Sequence, residues 1–436
     1  MGSETIGLLG IVVLLIFLST GMPIGLGAAL VGFLGIWYLS GLTPAFGALG
    51  LVPYAKAASY SLTVLPLFIL MGYFAFNAGL ASRAFDTGKR WLGHLPGGLA
   101  LATITGCAAF GACCGMSVAA AATMGRLVIP EMEKLHYKPS LTTGVIAASG
   151  TLSSLIPPSG VMVVYAIMAE VSVGKMLMAG LFPGLITAFF YAVGLYITVK
   201  RNPSIAGDPI APYAWRNRLK SLRELWSVTL IALAIIGGIY TGVFTPTEAA
   251  AVGAIVALIM NLTTKGVDRW ASFKLSIVDA SRTTGMIFLI IAGIVIFARF
   301  MAMSRLPYSV VEWISGLGFN RHLTLVCMMI FYIFLGMFLE SMGMLLLTIP
   351  VALPIIESLG FDPIWFGALV VMTIEIGLIT PPIGLNVYVI KGVADHVKLE
   401  EIFRGSVLFI IMDVLTLALM IIFPQIALFL PDRMGG

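Results

Sequence analysis

The chain has 436 residues, of which 59% are hydrophobic and only 10% charged, with a formal net charge of +5 and a mean hydropathy of +1.04. Soluble domains carry about 25% charged residues, so a chain this apolar cannot cover itself with polar surface and belongs in a lipid bilayer. The small positive balance matches the Lys/Arg bias of cytoplasmic loops and excludes a nucleic-acid surface.

At the N-terminus, MGSETIG lacks a basic n-region and a small-residue cleavage site, so residues 6–20 read as a retained helix, not a removed signal peptide. A helix needs about 20 apolar residues to cross the bilayer core. Candidate segments follow at 5–20, 22–40, 62–82, 96–112, 115–130, 140–169, 175–199, 226–241, 247–262, 283–303, 322–338, 341–357, 363–395 and 405–430. Residues 42–61 and 306–319 read as short interfacial or connecting pieces.

Basic stretches set the orientation. Residues 83–94 carry Arg83, Lys89, Arg90 and His94; the loop 200–225 carries Lys200, Arg201, Arg216, Arg218, Lys220 and Arg223; and 263–282 carries Lys265, Arg269, Lys274 and Arg282. All three are predicted to be cytoplasmic, which places both termini on the periplasmic side of a bacterial or archaeal inner membrane. Segments 96–112 and 115–130 then leave and return to the same side, either as two full spans or as one re-entrant hairpin. The tip FGACCGMS (Phe110–Ser117) is small and Gly-rich without a charged turn, which favours a buried hairpin over about 96–133.

An ungapped offset of 224 residues carries Phe110 onto Phe334, Ser117 onto Ser341 and Pro130 onto Pro354. It also carries Glu133 onto Glu357, Pro139 onto Pro363, Pro157-Pro158 onto Pro381-Pro382, and Gly160 onto Gly384. Apolar coincidences mean little in such a chain; matched prolines mean more. The halves are 1–225 and 226–436, and equivalent segments cross in opposite directions, as in the inverted repeats of secondary transporters. The second half thus predicts a hairpin at about 322–357, a broken helix at 363–395 and a C-terminal helix at 405–430. Their counterparts are the broken helix at 140–169 and the connecting helix at 175–199.

The double prolines sit inside SGTLSSLIPPSG (Ser149–Gly160) and IEIGLITPPIG (Ile374–Gly384). Proline donates no backbone hydrogen bond and disfavours helix in the residue before it. Unwinding there frees carbonyl oxygens, which with hydroxyls suit Na⁺, and N–H groups at a positive dipole end, which suit a carboxylate. Thr151, Ser153, Ser154, Ser159 and Thr380 supply hydroxyls, and the alternative reading is a proline kink with hydroxyls bonded back to the helix. Gly111, Gly115 and Ser117 form one hairpin tip; Gly336, Glu340, Ser341 and Gly343 form the other. Glu340 is an acid in an apolar stretch, so it marks function or bonds to nearby backbone; Glu375 and Asp413 invite the same question. Arg126 and Arg299 either pair with carboxylates or snorkel. The chain has neither GxxxxGK[ST] nor HExxH, and neither its histidines nor Cys107, Cys113, Cys114 and Cys327 show metal-ligand spacing.

GVFTPTEAAAVGA (Gly242–Ala254), CGMSVAAAATMGRLVIPEMEKLHY (Cys114–Tyr137), GTLSSLIPPS (Gly150–Ser159) and GLITPPIGLNVYV (Gly377–Val389) together resemble the large membrane subunit of TRAP (tripartite ATP-independent periplasmic) transporters. The resemblance spans the chain. It implies an all-α, elevator-type fold with two re-entrant hairpins and two broken helices, no enzymatic activity, no cofactor, and Na⁺ as the coupling ion. It implies import of a small organic anion, a separate four-helix membrane subunit, and a periplasmic substrate-binding protein. Carried onto matched positions, it puts ion and solute contacts at Gly111, Gly115, Ser117, Gly150, Thr151, Ser153, Pro157, Pro158 and Ser159. In the second half they fall at Glu340, Ser341, Gly377, Thr380, Pro381, Pro382 and Gly384. Na⁺ is expected near Ser117, Gly150, Thr151, Ser341, Gly377 and Thr380. Two departures stand out. Cys114-Gly115-Met116-Ser117 replaces the family's SGSS, removing two hydroxyls, and Ser153 stands where glycine is usual. A standalone Na⁺/anion symporter of the two-hairpin type is the alternative, followed by a membrane enzyme.

Overall fold

The computed structural model describes residues 2–264, 268–316 and 318–434, and all secondary structure within them is helical. Lys265, one of the expected cytoplasmic charges, lies outside the described residues. The helices are α1 (Ser3–Ser19), α2 (Ile24–Ser40), α3 (Leu42–Ala57), α4 (Val64–Asn77), α5 (Leu80–Leu92), α6 (Gly98–Cys114), α7 (Ser117–Lys134), α8 (Pro139–Leu155), α9 (Gly160–Met168), α10 (Val173–Arg201) and α11 (Trp215–Glu224). They continue as α12 (Trp226–Ala232), α13 (Gly238–Tyr240), α14 (Pro246–Thr263), α15 (Arg269–Ser304), α16 (Leu306–Gly316), α17 (Arg321–Gly336), α18 (Ser341–Ser358), α19 (Pro363–Ile379), α20 (Leu385–Val393), α21 (Leu399–Ile422) and α22 (Gln425–Leu428). Six helices are long and apolar enough to cross a membrane alone, and two bent pairs bring the number to eight.

Several expectations need correction. The pieces at 42–61 and 306–319 are largely the helices α3 and α16. The segment at 283–303 is the end of a 36-residue helix, α15, so most of the supposed loop 263–282 is helical. The basic loop after α10 contains α11. The segment at 62–82 stops at Asn77, and Gly79, at φ +74°, turns the chain into α5. Short amphipathic helices such as α5 and α11 escape a search for long apolar runs because half their surface is polar.

Local chemistry sets the helix starts. Thr245 and Glu248 form a reciprocal capping box ahead of α14, with Pro246 in its first turn. Asp362 accepts from the amides of Ile364 and Trp365 at the start of α19. Packing relies on small residues, because lipid offers helices no hydrophobic reason to associate. A Cβ on Gly25 of α2 would lie 2.6 Å from the Leu289 carbonyl oxygen of α15, and one on Gly32 would lie 2.7 Å from the Phe297 nitrogen.

Polar contacts gather at two ends. At one end Lys89 pairs with Glu131 at 2.7 Å, Arg90 with Glu224 at 3.4 Å and His396 with Glu133 at 2.7 Å, and Arg83 donates to Thr264 at 2.9 Å. At the other, Lys56 pairs with Glu170 at 3.5 Å and the Arg321 guanidinium lies 5.4 Å from the Phe361 ring centre. The described basic residues of 83–94 and 200–225 thus share an end.

Candidate functional site

The first hairpin closes on a glycine. Gly115, at φ +66°, ends α6, and Met116 leads into α7 at Ser117. A side chain is excluded there on contact grounds too: a Cβ would sit 2.5 Å from the Pro158 carbonyl oxygen. Gly111 has the same role one turn earlier, facing the Ser153 Cα at 2.7 Å, and Gly150 faces Ala121 Cβ at 2.9 Å and the Ser117 carbonyl oxygen at 3.0 Å. The tip therefore seats against α8 and its break.

α8 and α9 meet at 43° across residues 156–159. Pro157 and Pro158 are buried, joined by a cis peptide, and the Ser159 hydroxyl accepts from the Met162 amide to cap α9. The second break, Thr380–Gly384, shares the double proline and the glycine, and its Pro381-Pro382 peptide is likewise cis, but Pro381 and Pro382 are exposed. After each double proline a glycine amide reaches a hairpin tip: Gly160 donates to the Gly115 carbonyl at 3.3 Å, and Gly384 to the Met337 carbonyl at 3.2 Å. These two donors stand at the matched positions of the 224-residue offset.

Between the tips and the neighbouring helices lies a cavity of about 700 Å³. One wall includes Ser117, Ser154, Val161, Glu340, Ser341 and Leu385; the other includes Pro23, Ile24, Tyr73, Thr283, Met286 and Ile290. Tyr73 and Thr283 share a 2.8 Å hydrogen bond across α4 and α15. Glu340 caps α18, its carboxylate accepting from the Gly343 amide at 3.1 Å, and it also lines the cavity. No Lys, Arg or His lines this cavity among the described residues.

Behind that wall lies Glu375, only 1% exposed. The Ser341 hydroxyl donates to its Oε1 at 3.5 Å, and Ser117 and Ser154 approach the same carboxyl group. Its Oε2 and the Ser154 hydroxyl have no hydrogen-bond partner. Three hydroxyls from three elements thus converge on one carboxyl, with acceptor capacity to spare. A second buried acid, Asp413, accepts from the Tyr191 hydroxyl at 2.7 Å, and that hydroxyl is 3.4 Å from Thr151 Oγ1.

Other expected residues sit around the cavity without lining it. Thr151 donates to the Ala148 carbonyl at 2.6 Å and Thr380 to the Ile376 carbonyl at 2.6 Å; each keeps its oxygen lone pairs. Gly377 faces Gly336, where a Cβ would lie 2.6 Å from the Gly336 carbonyl carbon, so α17 and α19 touch backbone to backbone. Ser153 is buried with an unpartnered hydroxyl. Arg126 borders a smaller adjoining cavity of about 130 Å³, and both Arg126 and Arg299 are exposed. Tyr73, Thr283 and the turn at Pro23 were not foreseen, because they belong to no motif and reach the site only through packing.

The family model for the DctM component of tripartite ATP-independent periplasmic transporters matches residues 11–426. The C4-dicarboxylate TRAP transporter large permease protein DctM of Pseudomonas aeruginosa is 34% identical over 383 residues, 88% of each chain. The sialic acid TRAP transporter large permease protein SiaM of Vibrio cholerae is 31% identical over 96% of this chain and 97% of its own. The ectoine TRAP transporter large permease protein TeaC of Halomonas elongata is 32% identical over 95% of this chain and 96% of its own. In fold, the chain resembles the YdaH transporter of Alcanivorax borkumensis, with a TM-score of 0.60 at 11% identity over 87% of this chain and 88% of that one. MtrF of Neisseria gonorrhoeae also gives 0.60, at 13% identity over 88% and 85%. The chain is a multi-pass membrane protein and a non-enzymatic transporter permease, and it belongs to the DctM family of TRAP transporter large subunits.

Proposed function

We propose that this chain is the solute-translocating subunit of a Na⁺-coupled importer of small organic anions, working with a small membrane subunit and a periplasmic binding protein. The observation that carries the reading is the roughly 700 Å³ cavity. Its wall brings together the first residues of α7 and α18 and the end of α8. The free N–H groups of helix starts favour a carboxylate.

The wall's charge argues for a coupling cation. Glu340 lines the cavity, Glu375 stands behind it, and among the described residues no basic side chain lines the cavity with them. A carboxylate would be repelled by these acids, whereas Na⁺ held by carboxylate, hydroxyl and carbonyl oxygens offsets that repulsion. We assign Na⁺ to the neighbourhoods of Ser117, Gly150 and Thr151 in the first half and Ser341, Gly377 and Thr380 in the second. The tips and breaks move together as a transport unit against α1, α2, α4 and α15, in an elevator movement. The basic ends of α5 and α11 face the cytoplasm.

Uptake in proteoliposomes tests the reading: transport is expected to require the small subunit, the binding protein and an inward Na⁺ gradient. Uptake that ignores all three overturns it. Ser117→Ala is expected to shift Na⁺ activation to higher concentration; an unchanged Na⁺ curve removes Ser117 from the ion site.

A further inference from the structure

The short helix α11 takes no part in the cavity, yet its surface is divided into distinct bands. Trp215, Leu219 and Leu222 recur at helical spacing and are 67%, 58% and 47% exposed. At about 100° per residue they fall within an arc of about 60°. Arg216, Lys220 and Arg223 are exposed too and form a second band, about 100° around the helix from the first. None of the three has an ion-pair partner among the described residues. The acid of this helix, Glu224, is already paired with Arg90. Arg218 is occupied as well, lying 5.2 Å from the Trp215 ring centre and donating to the Tyr213 carbonyl at 3.1 Å.

The third side faces the protein. Ser221 is buried, the Thr87 hydroxyl donates to its carbonyl at 3.3 Å, and the Trp91 indole donates to the Arg218 carbonyl at 3.2 Å. At Leu225 the axis bends by 52° into the apolar helix that begins with Trp226, itself 43% exposed. α11 therefore leans across the mouth of a spanning segment, where headgroups lie.

We infer that this face of α11 is a binding site for anionic phospholipid headgroups. Trp215, Leu219 and Leu222 enter the boundary of the acyl chains, and Arg216, Lys220 and Arg223 meet the phosphodiesters. A band of large apolar side chains beside unpaired cations fits an acidic bilayer surface, where both are satisfied at once. A purely zwitterionic surface would accept the apolar band but leave three cations without counter-charge. The site has a structural consequence. α11 grips α5, and α5 leads directly into the first hairpin, so bound headgroups hold that hairpin's support at the membrane surface. The inference is independent of the solute and of Na⁺ coupling.

Brominated lipids test it directly. The protein is placed in nanodiscs of phosphatidylcholine containing equal mole fractions of dibrominated phosphatidylglycerol or dibrominated phosphatidylcholine. Trp215 emission is isolated as the difference between wild type and Trp215→Phe. Phosphatidylglycerol is expected to be favoured by about fivefold for each basic contact. Arg216→Gln/Lys220→Gln/Arg223→Gln is expected to level the two lipids while quenching by phosphatidylcholine persists. In wild type the preference is expected to collapse near 1 M salt, where the screening length falls to about 3 Å. This arm needs no variant and decides the matter where the triple variant fails to fold. Equal quenching by both lipids in wild type, or no quenching by either, overturns the inference. So does a preference that survives both the triple substitution and salt.

Discussion

Gly377 and Gly336 show what a single residue decides here. Their backbones touch, so Gly377→Ala must drive α17 from α19 or distort both. Overpacking of this kind costs about 1–3 kcal/mol, and thermal unfolding in detergent should show a clear fall in midpoint. Gly285 of α15 has nothing within 4 Å of a built Cβ. Gly285→Ala should therefore leave the midpoint unchanged or raise it, since alanine is the better helix former. Among the described residues, Tyr191 supplies the one side-chain hydrogen bond that Asp413 receives. Tyr191→Phe strands a buried carboxyl and should destabilise by about 1–3 kcal/mol. Asp413→Asn keeps an acceptor for Tyr191 and should lose less; if both variants unfold at the same point, the hydrogen bond is not what matters.

At the scale of elements, the double-proline breaks are the most legible feature of this chain. Ahead of α14, Thr245 and Glu248 of TPTE form the full reciprocal box. Thr245→Ala should cost about 1 kcal/mol and Thr245→Ser much less, measured as the change in unfolding midpoint. Both double prolines interrupt helices where the sequence says they must, because a missing donor and a restricted preceding residue act locally. The amphipathic α5 and α11 and the short α3 and α16 were less visible. They are 10 to 16 residues long, shorter than the roughly 20 residues of a spanning helix. At the basic end Lys89 donates to Glu131 and holds its carboxyl below the usual range, with Lys134 adding to the effect. That contact joins the last turn of α5, just before the first hairpin, to the hairpin's far end.

For the whole molecule, the question is whether tips and breaks move as one body past the remaining helices. Gly72 of α4 offers a test, because a Cβ there would lie 3.1 Å from the Cys114 carbonyl oxygen and 3.4 Å from its Cα. Gly72→Cys places a thiol beside the native Cys114 of the first tip. If transport requires the tip to travel relative to α4, oxidation should arrest uptake and a reductant should restore it. Full uptake by a demonstrably cross-linked protein would remove the elevator movement. The site shows the same division of labour. Ser117, Glu340 and Ser341 stood out because a polar residue in an apolar run is conspicuous. Tyr73, Thr283 and Pro23 did not, because a tyrosine, a threonine or a proline in a membrane helix or turn is ordinary until another helix packs against it.

What the sequence determined by itself is the bilayer as solvent, the all-helical fold, the family, the two double-proline breaks and the glycine tip of the first hairpin. Each of these is a local consequence: hydropathy, a missing N–H, a glycine at positive φ. Tertiary structure alone decided that the carboxyl of Glu375 meets hydroxyls from Ser117, Ser154 and Ser341, that the second break is exposed while the first is buried, and that one cavity joins the two halves of the chain. Those are long-range contacts between segments tens to hundreds of residues apart. No local pattern encodes them, because packing against distant helices sets which face of each segment points inward.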